Sequence, residues 1–309
     1  MKIPHNWRLN EIGNYDVDGD IRLTKDYIYD GKLQIRFGRV TGNFCCYKLE
    51  LSTLEGCPAE VGGNFDCTQN KLTTLKGAPK IVGGDFYCTS NLITSLKGAP
   101  KQVKGDFNCS FAKLTTLKGA PTTVGGSFYC SGNYLISLTG APTEVGGNFE
   151  CWETMLLSLR GAPKQVGGNF DCASNKLTTL KYAPKRVGGD FDCSSNQLTS
   201  LEGLPESIRG EFKCQANKLV VLKKVPRGAT KINCYDNPLS TISIGILQFL
   251  TTSNRFSDLI KQIHYIDWAE VSGSIYSYEQ WIPKSSRIEH INMTPQQARE
   301  LKALQLSWV

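Results

Sequence analysis

The sequence predicts a repeat solenoid: about ten short coils stacked through a parallel β-sheet with irregular return segments, followed by a small α-helical C-terminal region. Three observations predict it. A Phe-x-Cys phrase recurs every 21 residues from Phe44 to Phe212, nine times without slippage, and Ile232-Asn233-Cys234 follows after a step of 20. Other columns keep the same phase. They are Asn five residues after the Phe (Asn70, Asn91, Asn133, Asn175, Asn196, Asn217, Asn237), Leu or Ile at seven and ten, Pro at fourteen, and Val or Ile at seventeen, mostly followed by Gly-Gly. After Ile242 every column stops. Self-similarity at a fixed period of a few tens of residues is the signature of a stacked array, because one such unit cannot bury its apolar face alone.

Residues 1–43 read as an N-terminal cap containing an altered coil, since Gly19-Asp20-Ile21-Arg22-Leu23 is a degenerate copy of the Gly-Asp-Phe-x-Cys phrase. An open solenoid end would expose core and unpaired strand edge. Within residues 44–242, Phe and Cys stand two apart and must share one face of a strand, leaving the residue between them outward. The Asn column suits the turn leaving each strand, Gly-Gly suits positive φ before the next strand, and Pro favours an extended or polyproline-like return. Residues 243–309 read as a helical cap or a partner-binding module. Ser257 caps a predicted helix to about Glu270, with Leu259, Ile260, Ile263 and Ile266 at helical spacing, and Thr294-Pro295-Gln296-Gln297 opens a second helix to about Leu306.

The phrase Phe191-x-Cys193-x-x-Asn196-x-Leu198 and its counterparts resemble the leucine-rich repeat family, with one departure: Val187 lies four residues before Phe191, where the family spacing is three. The repeat length is similar to the short bacterial subtype of secreted effectors, and the wording G-A-P-x-x-V-G-G-[DN]-F-x-C-x-x-N-x-L resembles repeats carried by proteins of large tailed phages. The resemblance spans residues 44–242 and implies a leucine-rich-repeat-like parallel sheet and a protein-binding role. The related effectors often append a ubiquitin-ligase domain with a nucleophilic Cys. Residues 243–309 contain no Cys, so that activity does not carry over.

Ten of the twelve cysteines occupy one inward column. Neighbouring coils bring their Cα atoms close enough for a disulfide, but their side chains run in register, and a ladder of reduced, buried thiols is the expectation. Zinc requires paired Cys a few residues apart with a second such pair. Only Cys45-Cys46 comes near, so neither metal nor cofactor is expected. The three histidines, His5, His264 and His290, lie outside the repeats, and no nucleophile elbow or phosphate-binding loop occurs, which points away from an enzyme. No apolar run approaches the length of a membrane span, and the start MKIPHNWRLN carries no signal core. A cytoplasmic protein, in the host cytoplasm if phage-encoded, is the expectation.

Net charge is +7, and residues 44–242 hold 22 basic against 16 acidic residues. The excess falls on a Lys/Arg stripe eleven and fifteen residues after each Phe, without the regular aromatics or strong basic bias of a nucleic-acid binder. The outward strand column reads Cys45, Asp66, Tyr87, Asn108, Tyr129, Glu150, Asp171, Asp192, Lys213, Asn233, flanked by an Asn/Asp column (Asn43, Asn64, Asp85, Asp106 and onward) that fits turn chemistry. Two coils break the consensus: Ala112 and Thr154 replace the Asn, beside Phe111 and Trp152. One reading turns both aromatics inward to fill the gap. The other makes Tyr87, Asn108, Phe111, Tyr129, Tyr134, Glu150, Trp152, Asp171 and Asp192 a partner-binding face, since exposed aromatics dominate interface hot spots. The functional expectation is a recognition solenoid for a protein partner, which the phage resemblance implies is host-encoded. The alternatives are a virion accessory protein and a binder of a small anionic ligand such as a nucleotide.

Overall fold

The computed structural model describes residues 5–222, 224–243 and 265–267. Each coil from Phe44 to Phe191 contributes one strand to each of two sheets, which are parallel except where Trp7–Leu9 pairs antiparallel with Tyr15–Val17. The Phe-x strands, Phe65–Asp66, Phe86–Tyr87 and their counterparts, form an 11-stranded sheet from Ile21–Arg22 to Lys231–Asn233. Its register sets Phe on Phe and the outward residue on the outward residue. The degenerate copy joins this sheet, with Ile21 opposite Phe44 and Arg22 opposite Cys45. A second 11-stranded sheet runs through Glu60–Val61, Ile81–Val82 and onward to Ser207–Ile208. The return segment is therefore less irregular than its Pro suggests. Val at the seventeenth position points inward and its predecessor outward, so two residues are enough for a strand once neighbouring coils supply its partners.

The core fills the space between the sheets. Phe44 through Phe212 and the Cys column are essentially inaccessible, as are Leu72, Leu75 and most of their counterparts, and Val61 through Ile208 close the second side. Each buried side chain of this size contributes about 1.5–3 kcal/mol relative to exposure. The phenyl rings stack nearly parallel, 5.6 Å apart for Phe44 and Phe65 and 5.1 Å for Phe86 and Phe107. At the N-terminal end the stack changes geometry. Phe37 meets Phe44 edge-on at 5.2 Å, Trp7 meets Phe37 edge-on at 5.2 Å, and Tyr15 and Tyr27 pack around Trp7, so aromatic edges close the column.

Two polar ladders join coil to coil. Asn70 Oδ1 accepts the Leu49 and Leu51 N–H groups of the preceding coil, while its Nδ2 donates to the carbonyls of Cys46 and Cys67. Asn91, Asn175, Asn196 and Asn217 repeat this arrangement. The Asn thus serves two coils at once, which a turn alone would not require. The flanking Asn/Asp column forms the second ladder: Asn64 Oδ1 accepts the Asp85 N–H at 2.8 Å, and Asp85 Oδ1 the Asp106 N–H at 2.7 Å.

The Gly-Gly pairs depart from expectation. Positive φ falls on Gly77, Gly98, Gly119 and the equivalent glycines of the turn before each Pro, and on the residue preceding the ladder position, such as Gln69 and Ser90. The Gly-Gly residues are instead demanded by close approach, because a Cβ at Gly83 or Gly146 would collide with the carbonyl oxygen of the preceding coil's Gly62 or Gly125.

At the C-terminal end, Thr241–Ser243 pairs in parallel with Val221–Leu222 and with Tyr265–Asp267. Residues 265–267, placed by sequence periodicity in the helix ending near Glu270, are therefore a strand. The spacing of Ile263 and Ile266 does not distinguish the two states over so short a run, and an open strand edge supplies hydrogen-bond partners that decide between them. The rest of that helix and the helix from Thr294 lie outside the described residues.

Candidate functional site

The outward strand column is continuous from Tyr87 to Lys213, each residue opposite the next in register: Tyr87 with Asn108, Asn108 with Tyr129, Tyr129 with Glu150, Glu150 with Asp171, and Asp171 with Asp192. All are half-buried. Several also serve the fold. Asn108, Asp171 and Asp192 accept the N–H of the residue two further on, Ser110, Ala173 and Ser194, at 2.9–3.0 Å. The Tyr87 hydroxyl donates to Asp85 Oδ2 at 2.8 Å. Burial, that hydrogen bond and the charges of Asp85, Asp106 and Asp66 hold the phenol protonated well above its ordinary range.

Asp171 sits between two other carboxylates. Burial, with the charges of Asp192 and Glu150, pushes its acid up to about 6, against the opposing pull of the Ala173 N–H and Lys213. Negative charge on this column is therefore concentrated and partly desolvated, and a cationic group above it would be drawn in.

The two coils lacking the ladder Asn fill the gap without their aromatics. Ala112 and Thr154 are themselves buried, and Thr154 Oγ1 donates to the Cys151 carbonyl at 3.0 Å, replacing one of the missing amide bonds. Phe111 stays outside, 51% exposed, so the inward reading is overturned for it. Its backbone has φ of 52°, like the other residues of its column. The ring passes over Gly132 of the following coil, where any Cβ would collide with it, and meets Trp152 two coils on, edge-on at 5.7 Å. Trp152 is half-buried, and its Nε1 donates to Glu150 Oε2 at 3.4 Å. Gly132 is thus the residue that allows an aromatic pair to form across an intervening coil. Next to it, the Ser131 hydroxyl is buried with no hydrogen-bond partner.

Tyr134 is exposed two residues beyond Gly132, and the structure adds three exposed apolar residues close to it in sequence or in the next coil. Ile136, Met155 and Leu157 are 60%, 43% and 57% exposed. A signal for them was present: the same columns hold Lys71, Lys113 and Lys176, or Thr73, Thr115 and Thr178, in other coils. Leu92 and Val220 are single exposed apolar residues in these columns elsewhere, but only the two consecutive coils that carry Gly132 and Trp152 are apolar in both columns at once.

Among the described residues no group of three or more His, Cys, Asp or Glu is arranged to hold a metal ion, and no helix is long and apolar enough to cross a membrane. The inward thiols are hydrogen-bond donors, Cys67 Sγ to the Tyr87 carbonyl at 3.3 Å and Cys130 Sγ to that of Glu150 at 3.3 Å. Burial pushes them up, Cys234 to about 12, which keeps them as thiols rather than nucleophilic thiolates.

No protein-family model matches the chain, and no curated protein matches it. Among solved structures, the fold is similar to that of YopM from Yersinia enterocolitica WA-314, with a TM-score of 0.45 and 19% identity over 67% of this chain and 52% of that one. The chain spans about half the length of that protein.

Proposed function

We propose that this chain is a non-enzymatic recognition solenoid, a phage-encoded protein that binds and modulates a host protein of defence or metabolism in the host cytoplasm. The phage and host parts of this reading are supported only by the wording of the repeat. The observation that carries the binding site is the Phe111–Trp152 pair, presented outward across Gly132 in the coils that have given up the ladder Asn. A fold that repeats its demands so strictly leaves little other reason to expose Phe111, Tyr134, Ile136, Met155 and Leu157 together with a concentrated acidic column. A partner would set an apolar anchor against the aromatic pair and a cationic side chain over Glu150, Asp171 and Asp192, with Tyr87, Asn108 and Tyr129 extending the contact.

Quantitative pull-down from infected and uninfected lysate, with wild type and the Phe111→Ala/Trp152→Ala variant, tests this. A stoichiometric host protein lost with the variant, whose melting temperature is unchanged, supports the reading. Truncating a hot-spot aromatic costs about 2 kcal/mol or more of binding, enough to empty such a pull-down. Retention of the partner by the variant refutes the site. Recovery of virion proteins in place of a host protein would favour a structural role.

A further inference from the structure

The second sheet carries a feature unrelated to the Phe111–Trp152 face. An open groove of about 1270 Å³ runs along its outer side across six strands, from Gln102–Val103 to Ser207–Ile208, over a floor of glycine, alanine and proline. Six strands at about 4.8 Å spacing make it about 24 Å long. Four cations line it, Lys104, Lys164, Arg186 and Arg209, against the single carboxylate of Glu144. Lys164, Arg186 and Arg209 belong to three successive coils. All four are exposed, and among the described residues none is in an ion pair, whereas Lys185 beside them pairs with Glu206 at 3.3 Å.

Two of these cations stand where the fold asks for glycine. Lys104 and Arg209 occupy the first position of the Gly-Gly pair, the column in which a Cβ at Gly83, Gly125, Gly146, Gly167 or Gly188 would collide with the backbone of the preceding coil. A solvated surface lysine has no need of so constrained a position, since the turn stripe of Lys76, Lys97 and Lys118 offers free ones. Both costly substitutions bring positive charge to the same groove.

We infer that this groove binds an extended acidic peptide segment of a protein partner, laid along the solenoid axis with carboxylates over Lys164, Arg186 and Arg209 at one end and Lys104 at the other. Its length holds about seven extended residues at about 3.4 Å each. It is too open and long for an enclosed small-molecule pocket, and no aromatic side chain lines it to stack a nucleic-acid base. Flat glycine and alanine admit a peptide backbone closely, and unpaired guanidinium groups match carboxylates bidentately.

Fluorescence anisotropy of a labelled octa-glutamate peptide tests the inference, using the full chain at low salt, with octa-lysine and an eight-nucleotide oligothymidylate as comparison ligands. The Lys164→Glu/Arg186→Glu/Arg209→Glu variant is set against Lys76→Glu/Lys97→Glu/Lys118→Glu, which makes the same charge change on the turn stripe. The expected result is binding of octa-glutamate that weakens with salt and falls at least tenfold in the groove variant, equivalent to about 1.4 kcal/mol, with little change in the stripe variant. Absence of octa-glutamate binding, equal losses in the two variants, or tighter binding of the oligonucleotide overturns it. Should the triple variant fail to fold, Arg186→Glu alone, at an outward strand position, carries the comparison. The groove variants retain Phe111 and Trp152, so the outcome is independent of the site proposed above.

Discussion

Asn91 illustrates how much one side chain holds in a stacked coil. Its amide oxygen accepts the Leu72 N–H, and its nitrogen donates to the carbonyls of Cys67 and Cys88, all buried. At about 1–3 kcal/mol for each buried group left unpaired, Asn91→Ala lowers stability by about 3 kcal/mol or more in urea denaturation. Ala112→Asn works in the opposite direction, restoring a missing rung for a gain of about 1 kcal/mol. A loss on that substitution would show that the coil has repacked around Ala112. Asp171 adds a pH dependence. Its folded-state acid, raised to about 6 by burial and the neighbouring carboxylates, lies above the unfolded value, so the folded chain binds the proton more tightly. This contribution to stability is fully present below the unfolded value near pH 4 and is lost as pH rises through about 6. Asp171→Asn, which keeps an acceptor for the Ala173 N–H, is expected to be more stable than wild type at pH 8 and to lose that advantage at pH 4. Parallel denaturation curves at both pH values for the two proteins would contradict this.

At the scale of the element, the Phe-x-Cys strand was legible because two inward residues with one outward between them can only be a strand when a whole column repeats them. The strand of the second sheet was harder to see. Its Val column is plain, but the Pro and Gly-Gly around it obscure a strand of two residues that exists only because the coils above and below present the same two positions in register. The thiol column gives this element a measurable signature. Of the 12 cysteines, Cys45 is half-buried and the others are buried, with burial pushing the inward thiols up. Titration of native protein with a thiol reagent at pH 8 should therefore modify Cys45 at most, and the remaining thiols only after denaturant is added. Rapid labelling of several cysteines in the native state would mean that the coils open locally.

Across the whole molecule, stability is shared between neighbours, since each coil contacts chiefly the one before and the one after. Removal of 21 residues, such as 171–191, joins columns of equal phase and sets Phe170 followed by Asp192 in place of Asp171. The shortened chain should fold with the same circular dichroism per coil and a modestly lower melting temperature. Removal of 20 residues from the same region shifts every later column and should unfold the coils beyond the cut. Equal melting temperatures for the two deletions would refute the strict phase dependence. The two outward sides also differ in charge at this scale, with Glu150, Asp171 and Asp192 on one sheet and Lys164, Arg186 and Arg209 on the other.

The sequence by itself determined the solenoid, its period, its inward columns and the coils that break the rule, because a strict repeat forces like residues onto like neighbours whatever the details of each turn. Tertiary structure alone decided what depends on the reach of side chains between coils. It showed that the ladder Asn bonds two coils, that Gly-Gly answers to a carbonyl rather than to positive φ, that Phe111 crosses Gly132 to reach Trp152, and that cations from three coils share one groove. Each of these is a contact between residues about 20 or more positions apart, and a column of letters records their phase but not the direction in which a side chain leaves its coil.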